Sequence, residues 1–256
     1  MIFDTHMHTE FSSDSKMKIS EVIEKSKDLN IGVCLTEHLD LIYPDENLFR
    51  LDSDKYFDTY SKYRNNNLLL GIEIGLDLTI NKENSKIANS YPFDYIIGSI
   101  HSVNKEDIYL TYGKDISSKK EYFQKYLEYM LSCIKDYKDF DSLGHIDYPC
   151  RYCNFDNKEL IYDDQKEILD EIFKSLIGSG KVMEINTARL TNKESINNLI
   201  DIYKRYRELG GKYITIGSDA HRQSDIARNF KTAFEFLETT NLKGIYFKDR
   251  KPEFIL

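Results

Sequence analysis

The sequence predicts an α/β fold, a closed barrel of parallel strands with helices outside it, and three observations carry the prediction. Short apolar runs alternate with longer amphipathic ones, giving seven candidate strands. At 256 residues the chain is long for one ordinary domain but within the range of a single α/β barrel. All six histidines fall at or near the end of a strand-like run, where such barrels keep their chemistry. Strand alternating with helix implies a parallel sheet, and at this length a closed sheet is favoured over an open one. We expect one domain over residues 1–256.

The first run, "IFDTHMHT" at 2–9, sets Asp4, His6 and His8 at alternate positions. In an extended strand these side chains project the same way, and two converging imidazoles suggest a metal. "KISEVIEKSKDLN" at 18–30 reads as a helix, with Ile19, Val22, Ile23 and Ser26 on one side and Leu29 continuing it. "IGVCLTEH" at 31–38 ends in His38, "LLLGIEIGL" at 68–76 carries Glu73, and "YIIGSIHS" at 95–102 carries His101. "KKEYFQKYLEYMLSCIKDY" at 119–137 spaces Phe123, Leu127, Met130, Leu131 and Ile134 by threes and fours, a helix face for the core. "DSLGHID" at 141–147 holds His145, and "YDDQKEILDEIFKSLIGSG" at 162–180 begins with acids and ends in glycines, as helices tend to. "KVMEINTA" at 181–188 carries Glu184, and "YITIGSDAH" at 213–221 carries Asp219 and His221.

Composition narrows the function. A formal net charge of −8 argues against a nucleic-acid backbone as partner, so any phosphate site must be a local cationic island. No apolar run approaches the roughly 18 residues of a membrane span. Cys34, Cys133, Cys150 and Cys153, in a chain without a secretory signal, fit a reducing cytoplasm better than a disulfide framework. The lone C-x-x-C of Cys150 and Cys153 reads as two structural thiols, because a zinc site of this kind needs a second pair. Imidazoles with carboxylates suit Zn, Fe or Mn rather than Ca or Mg. Six histidines are too many for one ion, so the inventory implies two or three ions sharing a bridging carboxylate. Such clusters lower the pKa of water and clamp both oxygens of an in-line displacement, which makes phosphoester hydrolysis the natural reaction.

D-x-H-x-H at 4–8, "TEH" at 36–38, "GIE" at 71–73, "GSIH" at 98–101, "GHID" at 144–147 and "GSDAH" at 217–221 together resemble the ordered motifs of the polymerase-and-histidinol-phosphatase (PHP) superfamily. "FSSDS", "GSIHSV", "GHIDYPCR" and "EINTAR" most resemble its monofunctional histidinol-phosphatases. The resemblance implies a distorted (β/α)7 barrel that hydrolyses a small phosphomonoester, L-histidinol phosphate, at a trinuclear site. It implies that His6, His8, Glu73 and Asp219 hold a first ion, that Glu73 bridges to a second held by His101 and His145, and that His38, His221 and Asp14 take a third. Where much of the superfamily has histidine, this chain has Asp14, which as a turn or helix-cap residue has another reading. Glu73, Asp219 and His221 are the catalytic candidates. With three divalent ions, the carboxylates of Glu73, Asp14 and Asp219 and one hydroxide, the site keeps positive charge for a phosphate dianion.

Arg151 and Arg189 lie past strand ends, and the resemblance favours both as phosphate contacts, against a plain salt bridge. Asp4, Glu37 and Asp147 neighbour ligands and read as groups that orient them. Glu184 is a candidate for the substrate amine or for orienting a ligand, and Asn186 likewise. Tyr43, Tyr112 and Tyr148 are candidates for the imidazole end of the substrate. Two other readings stand beside this one: a PHP phosphoesterase or exonuclease on nucleotides, opposed by the acidic charge, and a non-catalytic metal-dependent scaffold, opposed by the intact ligand set.

Overall fold

In a computed structural model, which describes residues 1–255, parallel pairing runs in the order β1 (Phe3–Asp4), β2 (Gly32–Leu39), β3 (Leu68–Gly75), β4 (Ile96–Ser99), β7 (Ser142–Leu143), β8 (Val182–Asn186), β9 (Tyr213–Gly217). The skipped numbers, β5 (Ser102–Val103) and β6 (Glu106–Asp107), form a separate small hairpin after β4. The ring closes between its first and last members: Thr5 N donates to Ile216 O (2.9 Å), Asp219 N to His6 O (2.8 Å) and His8 N to Ala220 O (2.8 Å). These seven strands are the seven runs read from the sequence. The first and fifth are much shorter than their runs, and that irregularity is the barrel's distortion.

One helix follows each strand: α1 (Ile19–Leu29), α2 (Ser53–Tyr60), α3 (Asn81–Ser90), α4 (Lys119–Asp136), α5 (Lys166–Gly178), α6 (Lys193–Glu208) and α7 (Phe230–Thr240). Helix α1 ends where Asn30 adopts a left-handed φ of 53°, and Leu29 is 40% exposed, so the buried face stops short of it. The acids expected to open α5 instead form a 3-10 turn, Tyr162–Asp164, ahead of it. Helix α4 buries Phe123, Leu127, Met130 and Ile134 as their spacing predicts.

The register shows what faces the lumen. Cys34 pairs with Leu69, Thr36 with Gly71 and His38 with Glu73, so one alternating face runs from apolar through small to a histidine and a carboxylate. Phe3, Cys34, Leu69, Tyr95, Ile97 and Val182 make a core at the lower end, separate from the large one that the helices bury. A hairpin that the sequence reading did not include, β10 (Lys243–Lys248) and β11 (Lys251–Phe254), closes that end. Tyr246 stacks on Phe3 at 3.9 Å and Phe247 on Tyr95 at 5.4 Å. Its turn, Asp249 and Arg250, has φ of 49° and 62°, the left-handed pair of a two-residue hairpin built without glycine. The hairpin thus covers the end of the barrel opposite the strand ends that carry the histidines. No described helix is long and apolar enough to cross a membrane.

Candidate active site

At the upper end, five of the six histidines converge on one buried carboxylate, Glu73, and the sixth, His221, stands beside Asp14 and Asp219. Its two oxygens face two groups of ligands. Oε2 lies 3.3 Å from His6 Nε2 and 3.5 Å from His8 Nε2, while Oε1 lies 2.9 Å from His145 Nε2 and 3.4 Å from His101 Nε2. Asp219 Oδ1 completes the first group, 3.7 Å from His6 Nε2 and 3.4 Å from His8 Nε2. A third group stands beside them: Asp14 Oδ2 is 3.0 Å from His221 Nε2 and 3.5 Å from His38 Nε2.

These donor sets fit divalent ions. Ligand atoms sharing an ion at about 2.0–2.2 Å lie roughly 3.0–3.5 Å apart, and the separations above fall close to that range. Glu73 Oε2 and His38 Nδ1 are buried 2.9 Å apart without forming a hydrogen bond to each other or to any other group, a costly arrangement for polar atoms unless a cation serves them. Burial pushes His8 down, and the neighbouring His38 and His221 imidazoles push it the same way, which leaves a neutral ligand nitrogen. Burial opposes the ionised form of Asp219, but Arg151 and His6 overcome it and hold the carboxyl well below its usual range.

A ring of supports aims the ligands. Glu184 Oε1 accepts from His6 Nδ1 (2.6 Å) and its Oε2 from His145 N (3.0 Å). Glu184 is fully buried behind the ligands and outside the cavity, so it orients them and does not meet the substrate amine. Glu37 accepts from Ser12 Oγ (2.7 Å), which contacts His8 Nδ1 at 3.2 Å. Ser99 Oγ donates to Glu73 Oε1 (2.6 Å) and Asn186 Nδ2 to Asp219 Oδ2 (3.1 Å). Asp4 does not reach the ligand cluster with its carboxylate. It accepts from His6 N (3.5 Å), Ser218 N (2.8 Å) and Ala227 N (2.8 Å), so it holds the backbone of His6 and ties the first strand to the loop after the last. Sequence reading missed Asp40, whose Oδ1 accepts from His101 Nδ1 at 2.9 Å. It stands two residues past His38, on the alternation that runs through Cys34 and Thr36, and that spacing was the available signal.

The cluster opens into a cavity of about 300 Å³. Asp14, His38, His101, His145, Asp219 and His221 form its floor; Asp40, Tyr43, Phe49, Asp107, Tyr109, Tyr148 and Tyr152 rise around it. Asp14 is 38% exposed on its side chain and caps no helix, since α1 starts after Lys18. Arg151 reaches the cavity: its NH1 is 2.9 Å from Asp219 Oδ2, its guanidinium lies over the Tyr148 ring, and its NH2 is buried without a partner. Arg189 does not line the cavity. Its Nε donates to Asp147 Oδ2 (2.8 Å) and its NH2 to Glu159 Oε2 (2.6 Å), because both carboxylates are nearly buried and need a cation. Asp147 therefore serves Arg189 and no histidine. Tyr112 also lies elsewhere, its hydroxyl donating to Tyr122 O at 2.7 Å. The four cysteines are free and buried, so the C-x-x-C forms no disulfide.

Comparison with known proteins adds to this geometry. The PHP domain family model matches residues 4–188. A probable histidinol-phosphatase of Clostridium acetobutylicum is 46% identical over 98% of both chains, and a histidinol-phosphatase of Lactococcus lactis is 30% identical over 85% of this chain and 83% of that one. The crystal structure of histidinol phosphate phosphatase from Lactococcus lactis, complexed with Zn, L-histidinol and phosphate, superposes with a TM-score of 0.88 at 27% identity, covering 98% of each chain.

Proposed function

From the premise that the chain belongs to the PHP-domain family and is a metal-dependent histidinol-phosphatase, we propose that two to three divalent ions of Zn, Mn or Fe sit in the three donor groups and that the cavity above them binds L-histidinol phosphate. The observation that carries this reading is Glu73, whose two oxygens face separate histidine sets at 2.9–3.5 Å, the disposition of a bridging carboxylate. His6, His8, Glu73 and Asp219 would hold one ion, Glu73, His101 and His145 a second, and Asp14, His38 and His221 a third. When bound, such ions act as Lewis acids toward the phosphoryl group and lower the pKa of water nearby. A phosphatase of the Lactococcus relative's kind holds Zn with L-histidinol and phosphate, which supports the same ligand chemistry here.

The chain's own groups then divide the work. Arg151, with an unpartnered buried NH2, offers the phosphate a planar donor. Asp219, kept ionised by that same arginine, would serve as an anionic ligand through Oδ1 while its Oδ2 holds Arg151 at 2.9 Å beside the phosphate site. His221 lies at the rim, and its Nδ1, held by Asp219 O at 3.0 Å, turns Nε2 toward Asp14 in the third donor group. For the other end of the substrate, Asp40 and Asp107 are carboxylates in an otherwise aromatic wall, suited to an ammonium and an imidazole. Asp107 accepts from Leu110 N (2.8 Å), which fixes its carboxylate in the wall.

The test is substrate preference. The binding energy of the imidazole end should raise kcat/KM for histidinol phosphate at least about 100-fold above that for p-nitrophenyl phosphate. If a nucleotide or a phosphodiester equals histidinol phosphate with the same metal, the substrate reading fails while the metal site stands.

A further inference from the structure

We infer that Arg189, Glu159 and Asp147 form a buried clamp that positions Arg151 for the phosphate, so that Arg189 acts on the reaction through Arg151 and not by touching substrate. The inference rests on the reading of Arg151 as the phosphate donor.

The geometry is a chain of short contacts behind the cavity wall. Arg189 sits in the 3-10 turn after β8, Thr187–Arg189. Its Nε holds Asp147 Oδ2 at 2.8 Å and its NH2 holds Glu159 Oε2 at 2.6 Å. Glu159 Oε1 accepts in turn from Ser195 Oγ (2.8 Å) at the start of α6, and Glu159 N donates to Asn157 Oδ1 (2.9 Å). Asp147 is the residue that begins the 3-10 turn Tyr148–Arg151, and Cys150 N donates back to Asp147 O at 2.9 Å. That single turn carries Tyr148, which lies under the guanidinium, and Arg151 itself. Two residues before Asp147 stands His145, a ligand candidate.

Carboxylates of Asp147 and Glu159 lie with the Cys150 thiol in a group compact enough for a metal ion. Arg189 already supplies the positive charge there, so the group is an ion-pair cluster. Removing one member of such a buried cluster leaves an uncompensated charge, and the turn it anchors must move to find water or another partner. Displacing a catalytic donor by about 1 Å costs up to about 100-fold in rate. Arg189 and Arg151 thus differ in how they act, although sequence spacing places both past strand ends.

The experiment compares Arg189→Met, Glu159→Gln and Arg151→Met, singly and with Glu159→Gln added to Arg151→Met. Each protein is loaded with the same metal and read for kcat, KM, inhibition by inorganic phosphate, metal content and Tm. Glu159 lies behind Arg189, outside the cavity wall, and cannot reach phosphate. If the clamp positions Arg151, Glu159→Gln lowers kcat/KM about 10- to 100-fold and weakens phosphate inhibition, as Arg189→Met does. In the Arg151→Met background the same change alters kcat/KM less than about 2-fold, since the group it positions is gone. A merely structural role would lower Tm in both backgrounds without that masking. The inference is overturned if Glu159→Gln leaves kcat/KM and phosphate inhibition unchanged, or if its effect multiplies with that of Arg151→Met. Should Arg189→Met fail to fold, the Glu159 pair decides alone. If Arg151→Met itself leaves phosphate inhibition untouched, the assignment of Arg151 fails first, and the clamp with it.

Discussion

Replacing Gly75 by alanine separates the support of a metal ligand from the stability of the barrel. Gly75 ends β3 and has no left-handed φ, so alanine meets no backbone penalty. The added methyl would overlap Asp40 Oδ1 and come within 2.9 Å of its Cγ, closer than real side chains approach. Asp40 must swing away, and its hydrogen bond to His101 Nδ1, 2.9 Å in the native protein, is lost. That bond involves a charged acceptor, worth about 1.5–3 kcal/mol, and a displaced rotamer costs about 0.5–1.5 kcal/mol more. Against this, alanine restricts the unfolded chain by about 0.4–1 kcal/mol. The net loss is about 1–4 kcal/mol, several degrees of Tm for a chain of this size. The functional effect is larger, because loss of the partner that orients a metal-binding histidine costs about 10- to 100-fold in metal affinity or activity. The assay is phosphate release from histidinol phosphate with metal content and Tm measured on the same samples. Adding Asp40→Ala removes the clash, so Gly75→Ala with Asp40→Ala should be no worse than Asp40→Ala alone. Full activity in Gly75→Ala, or losses that multiply in the double variant, would refute the reasoning.

Asp14→Asn should lower the metal content by about one equivalent and depress turnover, while the metal-free protein keeps its stability to within about 1 kcal/mol because Asp14 caps no helix; an unchanged metal count returns it to a turn residue. Chelation should abolish activity and lower Tm, since the buried Glu73 and Asp219 carboxylates lose the cations that would balance them and the native state loses its bound ligand; an active protein with one equivalent or less would dismiss the cluster. The four thiols are buried, and burial pushes Cys34 and Cys150 well above the usual thiol range. A thiol reagent should therefore modify none of them in the native protein at neutral pH and all of them after denaturation; rapid native labelling of Cys150 would show that the turn carrying Arg151 opens.

The strands and ligands were legible because both depend on local spacing. The lumen face alternates along each strand, so His38 follows Cys34, and Glu73 follows Leu69, by four residues with Thr36 and Gly71 between, and their chemistry stands out from the apolar residues below. The C-terminal hairpin was not legible, since Asp249 and Arg250 adopt left-handed φ without the glycine or asparagine that marks such turns. The partners of charged groups depend on three-dimensional placement. Glu184 lies in β8 and Arg189 just past its end, yet one points into the lumen behind His6 and the other outward to Asp147 and Glu159, which are 42 and 30 residues away in sequence. Spacing alone gives Arg151 and Arg189 the same promise, and only the distribution of buried carboxylates separates them.

The motif glycines acquire a physical role beside the ligands. A Cβ at Gly144 would strike Ser99 Oγ, which holds Glu73, and one at Gly217 would strike the Glu184 carboxylate, which holds His6 and His145. Gly75 stands in the same relation to Asp40 and His101. Each glycine therefore leaves room for an orienting group, and the three together support Glu73, His6, His101 and His145, four of the six residues in the first two donor sets. A seven-stranded ring is narrow, and every lumen position near the top has a neighbour on the adjoining strand. Filling that lumen with both ligands and the partners that aim them requires positions without side chains between them. The glycines of "GIEIG", "GHID" and "GSDAH" are thus part of the metal site's geometry, although none can touch an ion.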